Sequence, residues 1–411
     1  MRILHINTSD VGGGGAALAA WRLHEQLVAD DVDSRLLVYS KRSGDARVER
    51  VKIPRRDILS RAAYRRLGYD DIHLKSTYKL VDHPWVQDAD VLHLHNLHGN
   101  YFNYQAIPKL AAGKAVVWTL HDMWSLTGHC AYSLGCGRWE HGCGQCPDLA
   151  IYPSILRDTT AKVWRARQAM YKSLDHVANV KVVAPSQWLA EAAKRGLLGR
   201  FDVECLPYGL DLDVYQPRGK ADARHMLGLP KDKWAILCVA AAFNSPFKGL
   251  SLLMDALKLL PAEVSSRAEL WVVGDAGSAI VEQAAIPVRT LGYNSGDRVK
   301  SVLYSAADLL VLPSRADNLP LVLQESLACG LPMVGFDVGG VSDVIRDGMT
   351  GLLAKAEDAG DLAAKLAMLL PDEAQRMAMS GACRAVAESD YEIEHITSRY
   401  RAIYKSLIRV N

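Results

Sequence analysis

The chain has 411 residues, more than one hydrophobic core ordinarily serves, so two domains are expected. A hydrophobic share of 49% and a charged share of 23% are those of a globular protein, and a net charge of +2 gives no reason to expect wholesale nucleic-acid binding. No apolar run is long enough to span a bilayer. Residues 1–6 read as a strand rather than the apolar core of a signal peptide, which points to the cytoplasm, where eight cysteines stay reduced or hold metal.

In chain order, short apolar or β-branched runs alternate with longer helical patterns. The first half offers strands at 2–7, 34–39, 91–94, 115–120 and 180–184. The second offers 234–240, 268–273, 288–291, 309–312 and 333–336. Continuous apolar strands between helices imply parallel sheets covered on both faces, an α/β fold of two Rossmann-like, doubly wound domains. The alternation restarts after the Pro/Gly-punctuated stretch 207–217, the expected linker. Domains are therefore expected at 1–208 and 218–390. The tail 391–411, with Ile393, Ile396, Tyr400, Ile403, Tyr404 and Leu407 at helical spacing, reads as a helix packing back. Two such domains facing each other would form a cleft at the carboxyl ends of their strands, where ligands bind in these folds.

Gly12, Gly13, Gly14 and Gly15 follow the first strand and open a helix. A tight turn there needs at most two glycines; four let the backbone approach a ligand with no Cβ in the way. The dinucleotide pattern fits badly, because the second strand ends in Ser40-Lys41-Arg42 with no acid to hold a ribose. The most informative stretch is 313–332. It leaves an apolar strand, turns through Ser314-Arg315-Ala316-Asp317-Asn318-Leu319-Pro320 and enters an apolar helix at Leu321. Free N–H groups at a helix N-terminus suit a phosphate. Asp317 and Glu325, eight positions apart, suit the hydroxyls of a sugar or ribose.

Together these segments resemble the GT4 (group 1) glycosyltransferases of GT-B fold. The second domain carries the match in Phe247-Lys248-Gly249, Val272-Val273-Gly274-Asp275, Leu291-Gly292-Tyr293, the segment 313–332 and Gly339-Gly340-Val341 with Asp343 and Gly348; the first adds the glycine loop and Thr119-Leu120-His121-Asp122. The resemblance implies a retaining, metal-independent transfer of a sugar from a UDP- or GDP-sugar to an acceptor hydroxyl, in polysaccharide or lipid-linked glycan synthesis, with no cofactor. It implies that 1–208 binds acceptor and 218–390 binds the nucleotide sugar. His121, Lys248 and Asp317 become the catalytic candidates. Donor contacts fall to Gly13, Gly14, Lys248, Gly274, Leu291, Tyr293, Asp317, Asn318, Leu319, Pro320, Leu321 and Glu325. Acceptor-side candidates are Gly12, Gly15, His95, His98, Asp122 and Trp124. Two positions depart from the family pattern: Asp317 replaces the usual glutamate, and Phe243 stands where an arginine often precedes the lysine.

Each candidate also has a plainer reading. Asp317 can cap the helix after it; Lys248 can be a solvated loop lysine; Asp122 can orient His121 or cap a helix. His93 and His95 share a strand face and could suggest metal, but site lining or a polar core role is the reading taken. Cys130, Cys136, Cys143 and Cys146 mark an insert that could hold a structural zinc or pack as thiols, whereas Cys205, Cys238, Cys329 and Cys383 read as buried apolar residues. The segment 41–66 interleaves many arginines with Ile58, Leu59, Ala62 and Ala63, which suits either a solvated face or an anionic membrane surface at which the enzyme docks peripherally. Rival functions are a GT-B nucleotide-sugar epimerase and a zinc- or thiol-dependent module built on Cys143 and Cys146.

Overall fold

The computed structural model describes residues 1–242, 245–275, 283–292 and 296–408. Phe243 and Tyr293 therefore lie outside the described residues. The chain divides into two compact units, Met1–Gly209 with Glu394–Asn411, and Leu210–Ile393.

The first unit holds seven parallel strands: β1 (Arg2–Ser9), β2 (Asp33–Ser40), β3 (Val48–Arg50), β4 (Val91–Leu94), β5 (Lys114–Thr119), β6 (Ala178–Ala184) and β7 (Asp202–Cys205). Their order is β3-β2-β1-β4-β5-β6-β7. Side chains alternate between the two faces along each strand. Leu4, Ile6, Leu92, Leu94, Val116 and Trp118 join one core, while Ile3, Val91, Ala115 and Val117 join another. The helix Ile393–Ile408 closes that second face with Ile396, Tyr400 and Tyr404. Two buried layers explain why these strands are apolar on both sides.

The second unit holds six parallel strands: β8 (Trp234–Ala242), β9 (Ala268–Asp275), β10 (Val288–Thr290), β11 (Leu309–Leu312), β12 (Met333–Phe336) and β13 (Gly351–Ala354), in the order β10-β9-β8-β11-β12-β13. Its strand edge is tied by Asp308, whose buried carboxylate takes Arg224 at 2.7 Å and the backbone N–H of Ala235 at 2.7 Å. In both sheets the chain order reverses once, between β1 and β4 and between β8 and β11. The loops beyond such a pair diverge and leave a crevice at the strands' carboxyl ends.

Three strands were not expected from the sequence: β3, β7 and β13. All three are sheet edges. Cys205 is also less enclosed than expected, half-buried at the end of edge strand β7, whereas Cys238, Cys329 and Cys383 are buried.

Candidate active site

In the second unit the reversal point brings two sequence-distant loops together. Lys248 follows β8 and Asp317 follows β11, and Lys248 Nζ lies 2.6 Å from Asp317 Oδ2. Glycines permit this closeness. Gly249 has φ +60°, and a Cβ there would stand 1.9 Å from the Pro313 carbonyl oxygen. The Arg315 N–H donates to the Phe247 carbonyl at 2.7 Å, locking the two loops. On the other side Gly339, φ +56°, lies so near the Asp317 carbonyl that a Cβ would stand 2.0 Å from it, and the Gly340 N–H donates to that oxygen at 3.2 Å.

Asp317 does not cap the helix Leu321–Ala328. Pro320 is the N-cap and supplies no side-chain bond. The Asp317 carboxylate instead accepts from Lys248, from the Ser314 hydroxyl at 3.3 Å and from the Asn318 N–H at 3.1 Å. Leu319, Pro320 and Leu321 form the buried approach to the helix. Glu325, one turn in, is almost fully enclosed. Its Oε2 accepts from the Tyr304 hydroxyl at 2.9 Å and its Oε1 lies 3.1 Å from Lys300 Nζ. Both partners come from the helix Asp297–Ala306, and neither was singled out in the sequence. Burial and the Glu325 carboxylate hold the Tyr304 phenol well above its ordinary pKa, so it remains a donor. Gly274 sits near the end of β9 and Leu291 just beyond β10, where the Gly274 N–H donates to the Gly292 carbonyl at 2.9 Å.

In the first unit the glycine loop is tied down by Asp10. Its buried carboxylate accepts backbone N–H groups of Arg42 at 2.9 Å and Ser43 at 2.8 Å, and Arg42 Nη1 donates to the Gly12 carbonyl at 2.8 Å. Burial would raise the Asp10 pKa; the Ser43 and Arg42 bonds outweigh it and lower the value. Gly14, φ +88°, is the N-cap of the helix Gly15–Ala29. Gly13 packs so close to Ser9 that a Cβ would meet the Ser9 Cβ at 2.6 Å.

The histidines form a buried network. His5 Nδ1 lies 3.0 Å from His95 Nε2, His95 Nδ1 lies 3.1 Å from His121 Nε2, and His121 Nδ1 lies 2.7 Å from the Tyr208 hydroxyl. His5 Nε2 is buried with no partner. A bare lone pair costs less there than a stranded N–H. The protons therefore run one way: His5 donates to His95, His95 to His121, and His121 to Tyr208. Burial keeps the His5 and His95 pKa values well below the ordinary range and lowers His121 to about 4, so all three are neutral. Both nitrogens of His121 are engaged within its own unit, so a bond to a sugar has to displace one of these partners. Asp122 sets its carboxylate against His98 and its own loop. Its Oδ2 lies 2.9 Å from His98 Nε2 and its Oδ1 accepts the Trp124 N–H at 2.8 Å. Burial opposes charge on His98, but the Asp122 carboxylate raises its pKa; that imidazolium in turn lowers Asp122.

Among the described residues, His5, His93 and His95 have ligand atoms within 4.8 Å of one another. His93, however, spends both nitrogens on hydroxyls, with Nδ1 2.7 Å from Tyr404 and Nε2 2.7 Å from Thr119. With His93 committed, the cluster is a polar core that leaves one bare nitrogen, His5 Nε2, rather than an open ligand set. Cys130, Cys136, Cys143 and Cys146 are free thiols that line one cavity of about 30 Å³, and the Gly128 N–H donates to Cys143 Sγ at 3.2 Å. No described helix is long and apolar enough to cross a membrane.

Two family descriptions match the chain: Glycosyltransferase Family 4 over residues 13–214 and Glycosyl transferases group 1 over residues 234–372. The chain belongs to the family 4 (group 1) glycosyltransferases. WcaC of Escherichia coli K12, named a colanic acid biosynthesis glycosyl transferase, is 25% identical over 363 residues, which cover 84% of this chain and 85% of that protein. A D-inositol 3-phosphate glycosyltransferase of Streptosporangium roseum is 32% identical over 291 residues, covering 66% of this chain and 65% of its own. Among solved structures, the sucrose-phosphate synthase of Thermosynechococcus elongatus superposes with a TM-score of 0.72 at 18% identity over 100% of both chains. Anabaena Alr3699/HepE in complex with UDP superposes with a TM-score of 0.70 at 17% identity, over 99% of this chain and 100% of its own. The fold of this glycosyltransferase is thus GT-B.

Proposed function

We propose that this family 4 glycosyltransferase moves a sugar, with retention at the anomeric carbon and without a catalytic metal, from a UDP- or GDP-sugar to an acceptor hydroxyl in polysaccharide or lipid-linked glycan synthesis. The second unit binds the donor and the first binds the acceptor. The Lys248–Asp317 pair at the reversal point of the second sheet carries this reading. Departure of a diphosphate builds negative charge, and fixed cations and N–H donors lower that barrier because they are already oriented. Lys248 and the N–H groups approaching Leu321 supply them. Asp317 holds Lys248 in place and accepts from donor hydroxyls; Glu325, steadied by Lys300 and Tyr304, accepts from the ribose. WcaC's name and the UDP-glucose complex of HepE support the setting and the donor class.

The deciding experiment assays labelled UDP- and GDP-sugars with and without candidate acceptors, following product anomer by NMR. Lys248→Ala is expected to lower turnover on the order of 10²-fold, the effect of removing one charge-stabilising donor. Glu325→Ala is expected to lose donor binding. Undiminished turnover in both variants, or product formation with no acceptor present, would refute the reading; the latter outcome favours an epimerase.

The first unit also carries a surface suited to anionic lipid. The helix Arg55–Arg66 exposes Arg55, Arg56, Arg61, Arg65 and Arg66 together with Ile58 and Leu59, the latter 78% exposed. Beside it a cavity of about 680 Å³ is lined by Arg50, Lys52, Arg56 and Lys79 together with Glu49 and Asp82. Cations beside exposed aliphatic side chains are what a headgroup layer over acyl chains attracts.

A further inference from the structure

A separate cavity of about 210 Å³ lies wholly within the first unit. Its walls include residues 99–104, beyond β4, and 124–129, beyond β5, at the carboxyl edge of the sheet and beside its reversal point. Asp70, Asp71, Asn100, Tyr104, Trp124 and Tyr152 line it, with Arg167 at its base. Of these only Trp124 was singled out in the sequence.

The lining is of two kinds. Asp70 and Asp71 offer carboxylate oxygens, and the Asn100 Oδ1 and Arg167 Nε are buried without partners. Such groups cost free energy until something bonds to them. Tyr104, Trp124 and Tyr152 offer ring faces, and Tyr152 is half-exposed at the rim. Polar edges beside aromatic faces match a sugar, whose hydroxyls need partners and whose C–H faces pack on rings. Nothing in the lining favours an anion: its one guanidinium shares the cavity with two carboxyl groups, and Arg167 Nη1 is already committed to the Trp124 and Thr127 carbonyls. Size excludes a nucleotide sugar, since the cavity is smaller than the roughly 300–1,000 Å³ of pockets that enclose larger ligands.

The wall is also braced. Arg167 lies 3.8 Å from the Trp124 ring centre. His98 stands against both Trp124 and Tyr152, with ring centres 5.5 and 5.8 Å away, and Asp122 holds both His98 and the Trp124 N–H. The ring faces are thus fixed before any ligand arrives, which reduces the cost of binding. We infer that this cavity seats one neutral, hydroxyl-rich sugar ring of the acceptor, gripped by Asp70, Asp71 and Asn100 and stacked on Trp124 and Tyr152. The inference rests on the transferase reading for the word acceptor, but the cavity's affinity for a sugar ring does not. Burial raises the Asp71 pKa to about 7, so near neutrality this carboxyl can accept from a hydroxyl or donate to one.

The test is binding of methyl α-glucoside, α-galactoside, α-mannoside and α-fucoside to the full chain without donor, by saturation-transfer NMR. At least one is expected to bind. Asp70→Asn and Tyr152→Ala, both at partly exposed positions, are expected to weaken that glycoside by roughly tenfold or more, the usual effect of losing a charged hydrogen bond or a stacking face. A melting curve verifies that each variant is folded. No binding by any of the four, or binding unchanged in both folded variants, overturns the assignment. Transfer from a nucleotide sugar in the assay above, with no glycoside binding here, removes the cavity and keeps the transferase. Glycoside binding with no transfer removes the transferase and keeps the cavity as a sugar site.

Discussion

Single residues in this protein act through the backbone as much as through their functional groups. Lys248 reaches Asp317 only because residue 249 can take a left-handed conformation beneath the Pro313 carbonyl. A methyl group there meets that oxygen at 1.9 Å and has to push the loops apart. Gly228 is an internal reference: its φ is +63°, yet nothing lies within 4 Å of a built Cβ. Gly228→Ala should cost about 1–2 kcal/mol, the conformational penalty alone. Gly249→Ala should cost clearly more in urea unfolding and should weaken donor binding as Lys248→Ala does, although the lysine is retained. Equal stability losses in the two variants, with donor affinity intact, would show that loop contact does not place Lys248.

At the scale of elements, what was most legible in the sequence was what is buried on both faces, although the edge strand β10 was expected too. β5, β8, β11 and β12 read as largely apolar runs because helices cover both sides, and β1 and β4 interrupt theirs with buried polar residues such as His5 and His93. The three strands that escaped notice, Val48–Arg50, Asp202–Cys205 and Gly351–Ala354, are edges of three or four residues; the first two are partly solvated, and the third, though mostly buried, is too short to stand out. The same divide runs through the site. Lys248, Asp317 and Glu325 stood in recognisable segments, but Lys300, Tyr304, Asp10 and His5 act through contacts across elements, which no local spacing records. The cysteine insert is the element with least regular structure, a 3-10 turn at Arg138–Glu140 amid loop. Cys130, Cys136, Cys143 and Cys146 line one cavity, but among the described residues they do not form a group with all ligand atoms within 4.8 Å. Elemental analysis separates the two readings: one zinc per chain, with a melting temperature that a chelator lowers, for a metal staple; zinc-free protein with an unaltered melt for thiols that only pack. The helix Arg55–Arg66 makes the opposite expectation, function without enclosure. Wild type should sediment with phosphatidylserine vesicles at low salt and Leu59→Glu should not; co-sedimentation that is equal for both would discard the lipid surface.

At the scale of the whole molecule, the two units carry very different titratable cores. Of the 13 histidines, only His225 belongs to the second unit, and it is exposed. The first unit buries His5, His24, His73, His93, His95 and His121, all with pKa values lowered by desolvation, His24 and His121 to about 4. Unfolding lets each take up a proton near its ordinary value of about 6.5. Between that value and the folded one, the unfolded state binds more protons, so stability falls with falling pH by about 1.4 kcal/mol per pH unit for each such histidine. His98 works the other way: Asp122 overcomes burial and raises its folded pKa, so its contribution is complete below the ordinary value and is lost as pH rises through the folded one. Asp70 and Asp71, whose pKa values burial raises, Asp71 to about 7, also favour the folded state as pH falls. Six groups against three set the sign. In the second unit the buried Asp308, whose pKa is lowered because Lys220 and Arg224 outweigh desolvation, becomes a liability only below the carboxylate range. Acid should therefore act first on the first unit, from about pH 6.5 downward. Hydrogen exchange at pH 7.5 and pH 5, corrected for intrinsic rates, is expected to show protection lost at pH 5 in β1, β4, β5 and Ile393–Ile408, with β8, β11 and β12 still protected. Uniform loss across both units, or none in the first, would mean that buried imidazoles do not govern its acid stability.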